Sequence, residues 1–521
     1  MKTLKALGLS LLAAALASTA AQAQTTIIHV VGSTAFRAPA TAAIIDYLNS
    51  TSANGVRAVY KNASSPQPAV PLLGSGVAIF ANGTVGAGGS ATIIIETSWT
   101  GSVAGAVDIA IGGSSSDTFI DVASMDSADL ADFNGPVGVV TKGSAATVAY
   151  GSETPYSIST TAIADSYTLA HLGGHAPDLT FSDSLNASVA AVYASGAQSG
   201  KINGLTQTQI LNTISNLVDS GAPGGNAQNA GYIGVLPFEW VVGDITSAGL
   251  TQLGYTSTSQ LPTNITQQTA SALIQGGYIS LALLSGTNNS NDLSNFFYLT
   301  GRNEDSGTRV EAFSEAQVPF GPVASPYQYQ LTGTVTGITA VNLFPANSSL
   351  YTETAVTWPS AGHSGYTSGS AVQGALDYPE SGSVNGSLTW PSDTADQAKA
   401  NTGTFFIGYL GITDAVNASN GANAYALTYN GVPYTIANVL NGKYTFWAYE
   451  HAYQLPKASV TVQNIDNAIA DNVYNNDADI DLSGKHSQAS GAPAGDQAAG
   501  IFPATLNVSR STTEGGFVSH N

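Results

Sequence analysis

Short apolar runs that end abruptly in Gly, Ser and Thr recur along this chain, and they restrict its possible folds more than any other feature. Ile27-Ile28-His29-Val30-Val31 carries two Ile and two Val and reads as a buried strand. It stops at Gly32-Ser33-Thr34, and Phe36, Ala40, Ile44 and Tyr47 follow at the spacing of one helix face. Ile93-Ile94-Ile95 leads in the same way into Thr97, Ser98, Thr100, Gly101 and Ser102. Val107 to Ile111 reads as a third strand, opening into Gly112-Gly113-Ser114-Ser115-Ser116-Asp117. Phe296 to Leu299 reads as a fourth and runs into Gly301-Arg302-Asn303-Glu304-Asp305-Ser306-Gly307-Thr308. A helix is expected from near Thr308, with Val310 and Phe313 turned inward. Strand and helix signals alternate through much of the chain, so the expected class is α/β and not an all-β sandwich. In open α/β sheets, ligands bind at the carboxyl ends of strands. Helix N-termini there offer free N–H groups and the positive end of the dipole, which suits an anion.

Composition narrows the partners. Charged residues are 9% of the 521 positions while hydrophobic residues are 43%, so large cores form under a surface of Ser, Thr, Asn, Gln and Gly. The formal net charge is −20. Such a field repels nucleic acid and anionic membranes. With no Cys, the chain has no disulfide, thiolate metal site, Cys nucleophile or lipid-modified N-terminal Cys.

Met1 to Ala23 reads as a cleaved secretory signal: Lys2 and Lys5, an apolar run from Ala6 to Ala17, then Ala21-Gln22-Ala23 as a small-x-small cleavage site. The alternative is a membrane anchor, but the run is short for a bilayer. Cleavage would start the mature chain at Gln24, with 12 basic residues against 34 acidic and a net charge of −22. The expected location is periplasmic or secreted. In a bacterial protein the Asn-x-Ser/Thr sites at Asn62, Asn82 and Asn186 would be bare. Residues 325–400, rich in Gly, Ser, Thr, Tyr and Pro, suggest loops and short hairpins, and 475–500 a long surface loop.

Arg302-x-x-x-Ser306-Gly307-Thr308 is the sharpest local signal. A guanidinium offers a planar fork of donors that matches a tetrahedral oxyanion. The hydroxyls and the amides of a helix start add donors, and Gly lets the backbone approach closely. The competing reading is an N-capping Ser or Thr beside a surface Arg. The chain has five Arg, and one set between a buried strand and a helix start favours function. Ser33 and Thr34 supply a second hydroxyl cluster from a distant segment, and the two could close on one small anion.

These pieces resemble the periplasmic phosphate-binding proteins of ABC-type uptake systems, within the type 2 periplasmic-binding-protein superfamily. Gly32-Ser33-Thr34-Ala35-Phe36-Arg37-Ala38-Pro39 is similar to that family's first anion loop, and Arg302 to Thr308 to its Arg-x-x-x-Ser-Gly-Thr loop. Glu304 stands where the family places an acid that pairs with the Arg. Leu261 to Gly277, Gly403 to Tyr409, and Tyr429 to Tyr444 resemble further segments in the same order. The resemblance implies two lobes joined by a two-strand hinge, lobe one at 24–140 plus 450–521 and lobe two at 141–449 with β- and loop-rich insertions. It implies a ligand site of Ser33, Thr34, Ala35, Arg302, Ser306, Gly307 and Thr308, with Ser98, Thr100, Ser102 and Ser114 as further donors. The family reads the protons of phosphate with a buried Asp in a loop equivalent to 112–117. That position here is small or a hydroxyl, and Asp117, a few residues late, is the candidate.

Other constellations point to nothing sharper. His171 and His175 are spaced i, i+4 around two Gly, which suits a loop pair and not a zinc site. Asp477, Asp479 and Asp481 alternate like a calcium loop, but Leu482 replaces the Gly and Gln488 the closing Glu. Gly-x-Ser-x-Gly and P-loop signatures are missing, and Trp99, Trp240, Trp358, Trp390 and Trp447 read as packing. The expected function is a monomeric, cofactor-free binding protein, not an enzyme, that captures phosphate or a related oxyanion and delivers it to an ABC permease. The alternative is an extracellular or cell-surface interaction protein on the same fold, its anion site vestigial or altered.

Overall fold

The computed structural model describes residues 25–51, 56–60, 76–81, 83–114, 117–126, 138–142, 156–159, 172–198, 201–220, 231–243, 255–257, 260–319, 328–334, 337–345, 356–357, 362–377, 404–420, 424–477, 500–511 and 514–521. The proposed signal segment, Asn62, Asn82, Ser115, Ser116, His171, Trp358, Trp390, Asp479, Asp481 and most of 475–500 lie outside them.

A 14-stranded mixed sheet organises the chain. Its strands are β1 Thr26–Gly32, β2 Val56–Tyr60, β3 Gly76–Ala81, β4 Ile93–Ser98, β5 Gly138–Lys142, β6 Tyr156–Ser159, β7 Leu179–Ser182, β8 Val218–Asp219, β9 Gly234–Gly243, β10 Tyr278–Ser280 and β11 Phe296–Leu299. A hairpin outside the sheet, β12 Tyr329–Thr334 and β13 Gly337–Leu343, follows. The sheet resumes with β14 Thr404–Gly411, β15 Tyr425–Ala426 and β16 Trp447–Gln454. A C-terminal pair, β17 Val508–Arg510 and β18 Val518–His520, closes the chain. The sheet order is β10-β11-β14-β9-β16-β7-β1-β4-β3-β2-β5-β6, with β8 on β16 and β15 on β9.

The longer helices among the described residues are α1 Arg37–Thr51, α2 Ser102–Ile111, α3 Asn186–Ser195, α4 Gln207–Ser215, α5 Gln267–Gly276, α6 Gly307–Glu315, α7 Gly369–Leu376, α8 Ile412–Asn420 and α9 Val460–Asn472. The alternation of β1 explains how the sheet is covered. Ile28 and Val30 point into a core with α1 and α9, while Val31 points into one with α2, α3 and α4.

Two long strands join the halves of the sheet. β16 pairs with β7 through Gln454 to His451 and with β9 through Glu450 to Trp447. β9 then pairs with β14 through Phe238 to Gly243. β7 pairs parallel with β1, and the chain reaches the other half of the sheet along β9.

One expected element is wrong. Val107 to Ile111 is not a strand but the second half of α2. Every residue of that helix is buried, so its apolar run has no polar face to betray a helical period. The stop signal is Gly112, left-handed at φ 80°, whose N–H returns to the carbonyls of Asp108 and Ile109. Ser114 and Asp117 therefore follow the C-terminus of a helix, not a strand.

Candidate functional site

Five parallel-type units, β1–α1, β4–α2, β7–α3, β11–α6 and β14–α8, deliver their loops to one region. Backbone bonds knit these loops together. Gly101 N–H donates to Gly32 O (2.9 Å), Ser33 N–H to Phe181 O (2.8 Å), and the first-turn amides of Val103 and Ala104 to Asp305 O (2.9 and 3.3 Å). Gly32 is required here: at φ 119° its backbone lies so close to β7 that a Cβ would stand 2.0 Å from Phe181 O.

Arg302 is 2% exposed. Its Nη1 donates to Thr34 Oγ1 (3.2 Å), its Nε to Tyr366 O (3.2 Å) and its Nη2 to Thr367 O (3.0 Å). The two hydroxyl-bearing loops expected to meet thus touch directly. Ala35 extends this meeting, since a Cβ on Gly411 would lie 3.4 Å from its own. Ser33 is buried, and its Oγ accepts the N–H of Phe36 at the start of α1 (3.2 Å). Burial lowers the Arg302 pKa, while Asp414 raises it. Glu304, expected to pair with Arg302, is buried two residues on.

Ser306 is the N-cap of α6, Gly307 and Thr308 are its first residues, and all three are buried. Among the described residues, the Ser306 hydroxyl has no hydrogen-bond partner. Against this helix start lies a carboxylate that sequence reasoning missed. A Cβ on Gly307 would stand 1.3 Å from Asp183 Oδ1 and 2.8 Å from Ser102 Oγ. Asp183 is 1% exposed, and neither oxygen accepts a hydrogen bond of normal geometry. Burial raises its pKa to about 6, while the nearby Ser102 hydroxyl and the Arg302 charge pull it down.

A signal for Asp183 existed. Leu179 to Ser182 is a strand ending in Asp183-Ser184, the same device as at Ser33. With Leu179 and Phe181 as its only large apolar residues, the strand is too short to stand out from sequence.

The remaining expected residues have other partners. Ser98 Oγ accepts the Thr118 N–H (2.8 Å) and lies 3.3 Å from its hydroxyl. Asp117 accepts the Ser114 N–H (2.9 Å) and interacts with Asp108 and His29. His29 sits between Glu96 (3.4 Å) and Asp178 (3.6 Å), and its ring stacks on His175 (4.6 Å between centroids). Among the described residues, no group of three His, Asp or Glu converges as a metal site. Trp99, Trp240 and Trp447 are buried in the core, as expected.

No family model matches the chain, and no curated protein matches it. Solved structures do resemble it. A protein from Clostridium perfringens, described as a phosphate ABC transporter substrate-binding protein and solved with bound phosphate, is 10% identical with a TM-score of 0.32 over 87% of this chain and 95% of its own. An ABC-type phosphate transport receptor from Vibrio cholerae is 10% identical with a TM-score of 0.27 over 57% and 74%. PstS from Borrelia burgdorferi is 10% identical with a TM-score of 0.28 over 85% and 92%.

Proposed function

We propose that this chain is an extracytoplasmic binding protein that captures phosphate, or an oxyanion of the same shape, between two lobes. The observation that carries the reading is that Arg302 meets Thr34 while its charge reaches the buried carboxylate of Asp183, which lies against the start of α6. Among the described residues, three of the five guanidinium N–H groups are bonded to protein, which leaves two for an anion. Ser33, Thr34, Ala35, Ser306, Gly307, Thr308 and Ser102 complete the lining with hydroxyls and helix-start amides.

An anion here is held without a counter-ion of its own. Helix N-termini and a buried guanidinium supply positive potential, and exclusion of water strengthens each contact. Asp183 supplies the selectivity once expected of Asp117. An ionised carboxylate accepts a hydrogen bond from a protonated oxyanion and repels one that has no proton. Closure along β9 and β16 would enclose the anion, and a membrane permease would receive it. Met1 to Ala23 would direct export.

Calorimetry on the mature chain tests this, after a denature-and-refold step to strip bound anion. Saturable phosphate binding that sulfate does not displace supports the reading. Binding of neither anion would sink it and leave the interaction-protein alternative.

A further inference from the structure

The described segments 328–334 and 362–368 pack against Arg302. The hairpin β12–β13 and the segment His363 to Ser368 are bonded, step by step, to Arg302. Tyr366 N–H donates to Gly301 O (2.9 Å), and Tyr366 O accepts both Asn303 N–H (3.0 Å) and Arg302 Nε (3.2 Å). The Tyr366 hydroxyl is in turn fixed by Leu331 of β12, whose N–H donates to it (2.9 Å) and whose carbonyl accepts from it (3.0 Å). Gln328, fully buried, donates through Nε2 to Arg302 O and Ser364 O (2.9 Å each) and accepts the Tyr409 hydroxyl (2.7 Å). The packing leaves no slack: a Cβ on Gly365 would stand 2.3 Å from Arg302 O.

We infer that Gln328 and Tyr366 are positioning residues for Arg302, and that the segments carrying them serve to aim its two remaining N–H groups at the anion. The reason is geometric. A long side chain loses entropy when it binds, and a fork of donors is useful only when its plane is fixed beforehand. Here Tyr366 O and Thr367 O fix that plane from one side, leaving the other edge of the guanidinium toward Thr34. This inference rests on the anion-binding reading only for its consequence, not for its geometry.

The test uses the whole mature chain with Gln328→Leu, Gln328→Glu and Tyr366→Phe. Phosphate affinity is expected to fall about tenfold in Gln328→Leu, the scale seen when a group that orients a ligating side chain is removed. Against an Arg302→Lys background the same change is expected to cost no further affinity, although thermal stability still falls. The second readout needs no ligand: the Arg302 Nε–H NMR signal, assigned by its loss in Arg302→Lys. Slow exchange with water in the wild type, and faster exchange in all three variants, is the expected result. Slow exchange lost in the variants without any wild-type phosphate binding would uphold the positioning and sink the ligand reading. Unchanged exchange with unchanged affinity, or equal affinity losses in both backgrounds, would overturn the positioning.

Discussion

Arg302 Nη1 lies 3.2 Å from Thr34 Oγ1, joining two loops 268 residues apart in sequence and on opposite halves of the sheet. The contact gives the proposed site a direct link between the two loops that single substitutions can probe.

Arg302→Ala removes the buried cation and both N–H groups left for a ligand. Charged hydrogen bonds contribute about 1.5–3 kcal/mol each, so phosphate affinity should fall at least ~100-fold. Calorimetry reads the loss, and circular dichroism checks that the fold persists. Affinity equal to the wild type would remove Arg302 from the site.

Gly307→Ala drives a methyl group into the Asp183 carboxylate, 1.3 Å from Oδ1. Overpacking of this kind costs about 1–3 kcal/mol, so the melting temperature should drop along with anion binding. Gly374→Ala, in α7, is the control. Nothing lies within 4 Å of its added methyl, and the helix should gain up to about 1 kcal/mol.

Asp183→Asn keeps the shape of the side chain and removes its charge. Sulfate should then compete with phosphate, where it does not for the wild type at pH 8. The wild type should acquire sulfate binding as the pH falls through about 6, because burial raises the Asp183 pKa to that value and the carboxyl is neutral below it. Competition titrations from pH 5 to 8 read both effects. Sulfate discrimination that survives in Asp183→Asn would assign selectivity elsewhere.

His29 ties β1 to the acids Glu96 and Asp178 at the middle of the sheet. Burial alone lowers its pKa, but the bonds to Asp178 and Glu96 win and raise it from 6.5 to about 9. A raised folded-state pKa stabilises the protein fully below pH 6.5, and this contribution disappears as the pH climbs through 9. Glu239 and Asp466, each raised to about 8 mainly by burial, weaken stability over an overlapping range. The melting temperature should therefore fall from pH 6.5 to 9, and His29→Gln should show a shallower fall. Parallel profiles for the two proteins would remove His29 from the stability balance.

Local sequence determined the strands that carry the site. β1, β4 and β11 are legible because β-branched and aromatic runs end at Gly, Ser or Thr, and both features act within a few residues. The Arg302 to Thr308 motif was legible for the same reason: its chemistry is contiguous. Tertiary structure decided the rest. α2 reads as a strand in part because burial on every side erases helical periodicity. Asp183 comes to the site because β7 pairs with β1 in parallel, a choice set by sheet-wide pairing between residues about 150 positions apart and by no local pattern. The partners of Arg302 were hidden likewise. Backbone carbonyls at Tyr366 and Thr367 hold it, and a carbonyl is present at every residue, so no residue type could announce them.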